Sequence, residues 1–194
     1  EQRLAKIESL ALIRYSGLFA RQIKSATGLQ AILADYFGLP VAVKQFQGQW
    51  LQIEPRNQSR LEDGGNNQLG VSTVVGQRVW DIQSKFRLRF GPLNYAQFLE
   101  FLPHRSPSPE RKSQFLLSQL VRLYTGHGLE FDIQLVLRQS EVPECQLAPG
   151  GGFGARLGWN TWLISEQPEH DPEDTVFEGT DVIWVNEDAA RPAN

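Results

Sequence analysis

The chain has 194 residues, of which 41% are hydrophobic and 21% are charged. This composition is ordinary for a soluble globular protein and allows one domain or two small ones. No apolar run reaches the ~18 residues that a membrane span needs. The single cysteine, Cys145, excludes an internal disulfide and a cysteine-based metal cluster. The absence of methionine indicates that the sequence begins inside a longer protein.

Charge is unevenly distributed along the chain. Residues 1–165 carry 18 Lys or Arg and 13 Asp or Glu, a balance of +5. Residues 166–194 carry 1 Arg and 9 Asp or Glu, a balance of −8. Acidic segments of this kind are usually solvated. We therefore interpret residues 165–194 as an acidic C-terminal tail, in which only Val182–Val185 predicts a strand.

Helical signals begin near the start of the chain. Apolar residues at helical spacing predict a helix over residues 3–15, within a segment 1–24 that continues from a missing N-terminal half. Ser25 is typical of an N-cap, and Gly38 is typical of the residue that ends a helix. Between them lies one apolar helix face, formed by Leu29, Ile32, Leu33 and Tyr36.

Strand signals follow from Val41. Period-two alternation predicts extended backbone over residues 41–53, with a break near Gly48. Residues 56–68 are polar turn formers and predict a long exposed loop, after which Leu69–Val75 is a short strand candidate.

A second strand–helix–helix–strand series occupies residues 76–164. Val79–Phe90 predicts a strand that ends at Gly91-Pro92, with basic residues on one face and Phe86, Leu88 and Phe90 on the other. Asn94 caps a short predicted helix, and Ser113 caps a longer one that ends at Gly126. The later segments are a strand at Leu129–Leu137, a Gly-rich loop at 144–156 and a strand at Leu157–Ile164.

An internal repeat emerges when the sequence is shifted by 88 residues. Ten identities then fall within residues 25–75: Ser25, Leu29, Tyr36, Gly38, Pro55, Gln58, Gly64, Leu69, Gly70 and Thr73. The helix cap, the apolar helix face, the glycine that ends the helix, the loop and the strand of one copy each align with the same feature of the other copy. Each of these features has its own physical cause, so their joint alignment supports a repeat. We predict two related units, 25–75 and 113–164, joined by a connecting segment 76–112. The alternative is that common helix–strand motifs resemble one another by chance.

Residues for catalysis or cofactor binding do not converge in the sequence. His104, His127 and His170 lie in three separate loops without metal-ligand spacing, and Cys145 has no nucleophile signature. The glycine run 150–154 lacks the lysine and helix of a phosphate loop. We therefore predict no enzyme activity, no metal and no cofactor.

The strand Lys85–Phe90 resembles an RNA-reading strand only superficially. RNA readers place aromatic and basic residues on the same exposed face, whereas alternation here separates them. Nucleic acid is therefore not a predicted partner. Tryptophan occurs in protein cores, in protein interfaces and in carbohydrate- or peptide-binding modules. Sequence alone does not decide among these three roles for the five tryptophans, which are Trp50, Trp80, Trp159, Trp162 and Trp184.

Several stretches in the same order resemble one known protein family. They are Tyr15–Phe19 with Gly28–Gly38, Gln45–Leu51, Gly76–Asp81 with Phe86–Leu93, Phe101–Pro103, and Gln134–Leu137 with Glu141–Pro143 and Leu157–Leu163. Together they resemble the C-terminal half of TssG, also called ImpH or VasB, over roughly residues 8–164. The acidic segment 166–194 lies outside this resemblance.

The resemblance implies a structural role, with no catalytic activity and no cofactor. Members of the TssG family join two copies of TssF in the baseplate wedge of the bacterial type VI secretion system. They also contact TssE and VgrG, and they dock two TssK trimers that link the wedge to the inner-membrane complex. A cytoplasmic location and no direct membrane insertion follow from the same likeness.

The expected fold class is α+β, with short helices on small, mostly antiparallel sheets. Combined with the repeat, the resemblance leads to a hypothesis in which the two loops each engage one TssK trimer. The candidate partner-binding residues are Arg56, Asn57, Arg60, Leu61, Glu62, Asp63, Asn66, Asn67, Cys145, Leu147, Phe153 and Arg156.

Overall fold

The computed structural model describes residues 9–62, 64–103, 113–144, 156–163 and 168–179. Its helices are α1 Ser9–Arg14, α2 Ser16–Phe19, α3 Ala26–Phe37, α4 Tyr95–Phe101 and α5 Ser113–Thr125. Its strands are β1 Val41–Lys44, β2 Gln49–Gln52, β3 Arg78–Asp81, β4 Lys85–Leu93, β5 Glu130–Leu137 and β6 Thr175–Glu178. The α+β fold class is confirmed. Within the described ranges, no helix is long and apolar enough to cross a membrane.

The described residues form two compact units. One comprises residues from 1–45 and 86–194, and the other comprises residues 46–85. The larger unit contains a four-stranded sheet in the order β1-β4-β5-β6, and the smaller contains the β2–β3 pair. The first predicted repeat unit, residues 25–75, therefore contributes to both.

The four-stranded sheet is mixed but mostly antiparallel. β1 pairs with β4, and β5 pairs with β6, both in antiparallel register. The central strands β4 and β5 run parallel, because their contacts advance together from Arg87 with Asp132 to Leu93 with Arg138. Parallel neighbours need a long crossover connection, and the chain between them contains α4 and α5.

Local capping fixes the helices that cover this sheet. The Ser25 hydroxyl accepts a hydrogen bond from the Gly28 backbone N–H at 3.1 Å, as its N-cap prediction requires. Asn94 and Gln97 form a reciprocal capping box at the start of α4. The predicted N-cap Ser113 is instead the first described residue of α5, and its hydroxyl donates to the Glu100 carboxylate.

The core lies between these helices and one face of the sheet. The apolar faces of α3, α4 and α5 are mostly buried there, as is the apolar face of β4, whereas Leu10 of α1 is exposed. Its fully buried side chains include Ile32, Leu33, Leu88, Phe90, Phe98, Leu117, Leu120, Ile133 and Leu135. Burying each such side chain stabilises the folded chain by about 1.5–3 kcal/mol.

The predicted strand Val79–Phe90 is wrong in both its continuity and its end. It is divided at residues 82–84, where the Asp81 carboxylate accepts hydrogen bonds from the Gln83 and Ser84 backbone N–H groups. β4 then continues through Gly91 to Leu93. Gly91 has φ 129°, and a Cβ there would lie 2.5 Å from the Val136 carbonyl oxygen. Glycine thus permits β4 to approach β5 closely instead of ending it.

Two predicted short strands are turns. Residues 69–72 and 157–159 fold into hydrogen-bonded turns, so the strand assignments Leu69–Val75 and Leu157–Ile164 are corrected over their described residues. Their apolar residues alternate in sequence, but polar side chains of the same segments bond to the local backbone and favour the turn.

The acidic tail contributes to the fold. β6 lies within it at Thr175–Glu178 and pairs with β5, whereas the predicted strand Val182–Val185 lies outside the described residues. The Phe177 side chain is buried, and the Glu173 carboxylate pairs with Arg89 at 3.1 Å. At least residues 171–179 are therefore attached to the sheet rather than freely solvated.

Candidate protein-binding arms

Two antiparallel strand pairs frame two long segments. The chain leaves β1, passes through residues 46–85, which we call arm one, and returns along β4. It leaves β5, passes through residues 138–174, which we call arm two, and returns along β6. A helix precedes the outgoing strand each time, α3 before β1 and α5 before β5. Both predicted loops, 56–68 and 144–156, fall within these arms.

Arm one is built on the β2–β3 pair. Its register places Trp50 directly opposite Trp80, and their rings form an edge-to-face contact with centroids 5.2 Å apart. Trp50 is 62% exposed and Trp80 is 53% exposed. Tryptophan is enriched in the energetically dominant centres of protein interfaces. The arm therefore carries apolar surface that a partner can cover.

Further apolar side chains of arm one are also exposed. Among its described residues the larger ones are Phe46, Leu51, Leu61, Leu69, Val71, Val74, Val75, Val79 and Ile82. A unit of this size with so many exposed apolar side chains has little core of its own. Contiguous exposed apolar surface commonly marks a site of protein interaction.

The loop of arm one is held by its own hydrogen bonds. The Arg60 N–H donates to the Gly65 carbonyl at 2.6 Å, and the Asn67 side chain donates to the Glu62 carbonyl at 3.1 Å. The Val74 N–H donates to the Ser59 hydroxyl at 2.9 Å. These bonds give the exposed loop a defined shape, which lowers the conformational cost of binding.

Electrostatics at the base of arm one centre on Asp81. Its carboxylate accepts hydrogen bonds from the Ser84 hydroxyl and from the backbone N–H groups of Gln83 and Ser84. These hydrogen bonds lower the pKa of Asp81 below its usual range, and the bond from the Ser84 hydroxyl contributes most. The charged carboxylate therefore holds the bend between β3 and β4.

Arm two packs part of its described length against the core. The Arg156 guanidinium donates to the Pro103 carbonyl at 2.7 Å and lies over the Trp159 ring. Trp159 contacts Phe177, and Trp162 contacts Phe98. By contrast Leu157 and Leu163 are almost completely exposed. Two of the five tryptophans thus support the fold of this arm rather than forming an open surface.

The predicted partner-binding residues have different surroundings. In arm one, the described candidates are mostly exposed: Arg56, Asn57, Arg60, Leu61, Glu62 and Asn67, with Asn66 half-buried. Arg56 pairs with Glu54, and Arg60 pairs with Glu62. Arg156 is half-buried and faces the protein. Asp63, Cys145, Leu147 and Phe153 lie outside the described residues.

Several exposed apolar residues of the arms were not among the predicted partner-binding residues. Trp50 and Trp80 lie opposite each other, a relationship that depends on the strand register. The sequence predicts strands at Leu69 and Leu157, although both belong to a Leu-Gly-x-x-Thr pattern that recurs in the repeat. A glycine within an otherwise apolar stretch is the sequence signal that indicates a turn here.

The remaining chemical candidates do not assemble into a site in the described part of the chain. His127 and His170 are exposed, and His104 and Cys145 lie outside that part. No group of three potential metal ligands occurs among the residues the structure describes. Phe86 and Phe90 face the core while Arg87 pairs with Asp132, so the separation of aromatic and basic faces on β4 is confirmed.

Comparison with known families identifies the chain. The family model described as type VI secretion, TssG, matches residues 1–164, more than half of the sequence. The chain belongs to the TssG family. No curated protein sequence matches it.

Two solved structures have a similar fold. A chain of the cryo-electron microscopy structure of the type VI secretion TssK–TssF–TssG baseplate subcomplex is 15% identical, with a TM-score of 0.63. The match covers 86% of this chain and 68% of that one. A chain of the type VI secretion baseplate complex is 16% identical with a TM-score of 0.57, covering 91% of this chain and 48% of that one. At these identities the likeness establishes the fold.

Proposed function

We propose that this TssG-family chain is a non-enzymatic structural subunit of the type VI secretion baseplate wedge. It joins two TssF copies and docks TssK trimers through its two arms during assembly of the contractile tail. TssE and VgrG are further proposed contacts. The proposed location is the cytoplasmic baseplate, docked on the inner-membrane complex.

The observation that carries this proposal is the pair of arms on matched strand pairs. Each arm leaves one antiparallel pair of the same sheet and displays exposed apolar side chains. The core and its caps provide a rigid base, while the arms supply surface that needs a partner. A protein that connects several larger subunits requires this combination. The membership in the TssG family and the likeness to a chain of a TssK–TssF–TssG subcomplex support the choice of partners.

The tryptophan geometry favours a protein partner over a sugar. The Trp50 and Trp80 rings are inclined at 63° to each other, so they do not form one flat platform. Stacking on a sugar ring requires an open aromatic face, whereas an inclined pair fits the irregular surface of a protein. A carbohydrate- or peptide-binding module remains the alternative that glycan titration followed by tryptophan fluorescence would detect.

Co-expression with TssF and TssK tests the proposal. We expect the chain to co-purify with both proteins as one complex whose mass, measured by light scattering, contains two TssF copies per chain. A chain that elutes separately from both partners would contradict the proposed function. TssK binding is then measured with and without prior addition of TssF. Binding without TssF indicates direct docking, whereas binding only after TssF is added indicates that TssF holds the arms in place.

A further inference from the structure

A turn of the same geometry occurs in the described part of each arm. In arm one the Val71 N–H donates to the Gln68 carbonyl at 3.1 Å, and in arm two the Trp159 N–H donates to the Arg156 carbonyl at 3.1 Å. The N–H groups of the next residues, Ser72 and Asn160, donate to the same two carbonyls. Every one of these positions is offset by the 88 residues of the sequence repeat.

The side chains of the two turns repeat as well. The Ser72 hydroxyl accepts from the Gln68 N–H at 3.4 Å, and the Asn160 side-chain oxygen accepts from the Arg156 N–H at 2.7 Å. Different side-chain types thus make the same bond at equivalent positions. The turn geometry is therefore shared although most of its residues differ between the arms.

Each turn presents a leucine beside a left-handed glycine. Gly70 has φ 76° and Gly158 has φ 81°, a conformation that glycine adopts without strain. The preceding residues, Leu69 and Leu157, are 91% and 95% exposed. Next in the turn, Val71 is exposed whereas Trp159 packs on Phe177. Among the apolar positions of the turn, only the leucine is exposed in both arms.

We propose that Leu69 and Leu157 are equivalent docking anchors, each inserted into the same apolar pocket on two copies of one partner. This inference rests on the proposed function, in which the partner is TssK. A leucine held on a hydrogen-bonded turn loses little freedom on binding, so most of its burial contributes to affinity. One anchor geometry occurring twice fits two copies of one protein better than two different partners.

Single serine substitutions test these anchors with matched controls. The variants are Leu69→Ser, Leu157→Ser and the double variant, measured by titration of TssK with light-scattering detection. Leu10→Ser and Ile23→Ser are the controls, because these side chains are 76% and 84% exposed and lie outside both arms. The four substituted side chains are all mostly exposed, so the variants are expected to retain the fold.

Each anchor variant is expected to weaken one TssK site by about 10- to 100-fold while the other site keeps its wild-type affinity. The double variant weakens both sites, and the controls change neither. Wild-type binding by Leu69→Ser and Leu157→Ser, or equal weakening by the controls, would overturn the anchors and leave the proposed function intact. Absence of TssK binding by the unsubstituted chain in the presence of TssF would overturn both.

Discussion

Arg87 and Asp132 form a two-pronged ion pair between the central strands β4 and β5. The Arg87 Nε lies 2.8 Å from Asp132 Oδ1, and Nη2 lies 2.9 Å from Oδ2. The Asp132 side chain is only 5% exposed. Its hydrogen bonds raise the pKa of Arg87, which keeps the guanidinium charged. The pair thus joins the strand that returns from arm one to the strand that leads into arm two.

Asp132→Asn is expected to lower the free energy of unfolding by about 3 kcal/mol, because the Arg87 charge loses its buried partner. Glu173→Gln is the control, since the Arg89–Glu173 pair is more exposed and its loss is expected to cost less than about 1 kcal/mol. Urea denaturation followed by circular dichroism gives both values. Equal costs for the two variants would show that burial does not strengthen the Arg87–Asp132 pair.

Tyr15 links stability to high pH. Burial first, and then the hydrogen bond that its hydroxyl donates to Asp35 at 2.6 Å, raise the pKa of Tyr15 to about 12. Since the folded pKa exceeds the unfolded value of 10.0, this contribution is complete below pH 10 and is lost as pH rises towards about 12. We expect Tyr15→Phe to show a smaller loss of unfolding free energy over this interval than the wild type. Identical pH profiles would contradict this assignment.

The capping box of α4 makes a separate contribution to stability. The Asn94 side-chain oxygen accepts from the Gln97 N–H at 2.8 Å, and the Gln97 side chain accepts from the Asn94 N–H at 3.1 Å. Asn94→Ala is expected to lower the free energy of unfolding by about 1 kcal/mol, and Asn94→Ser much less, because serine also caps. Equal losses in thermal or urea unfolding would show that capping is not the cause.

The Trp50–Trp80 pair depends on Gly48. A Cβ at Gly48 would lie 1.9 Å from the Trp80 ring carbon Cζ2, so Gly48→Ala must displace that ring. We expect Gly48→Ala to alter the tryptophan circular dichroism and to weaken TssK binding through arm one. Gly17→Ala is the matched control, because a Cβ at Gly17 has open space around it. Unchanged spectra in Gly48→Ala would contradict the observed packing of Trp80 on Gly48.

Local signals made the helices and several strands predictable. Ser25, Asn94 and the apolar faces behind them determine α3 and α4 within a few residues of sequence. The break near Gly48 and the strand at Leu129–Leu137 also follow from local alternation, and both are confirmed. These features need no knowledge of distant contacts.

The errors occurred where distant contacts decide the structure. β4 passes through Gly91 because only a residue without a side chain can lie so close to Val136. The sequence does not reveal that Gly91 and Val136 are neighbours. β6 forms in an acidic segment because Phe177 reaches the core and β5 offers a free edge. The Trp50–Trp80 pair depends on strand register and could not be derived from composition.

The number of TssK trimers bound per chain tests the account most directly. Native mass spectrometry of the chain mixed with TssF and excess TssK gives this number without assuming which residues bind. Two trimers per chain are predicted, because two arms leave matched strand pairs of one sheet. A single trimer, or none, would contradict the claim that both arms are docking sites.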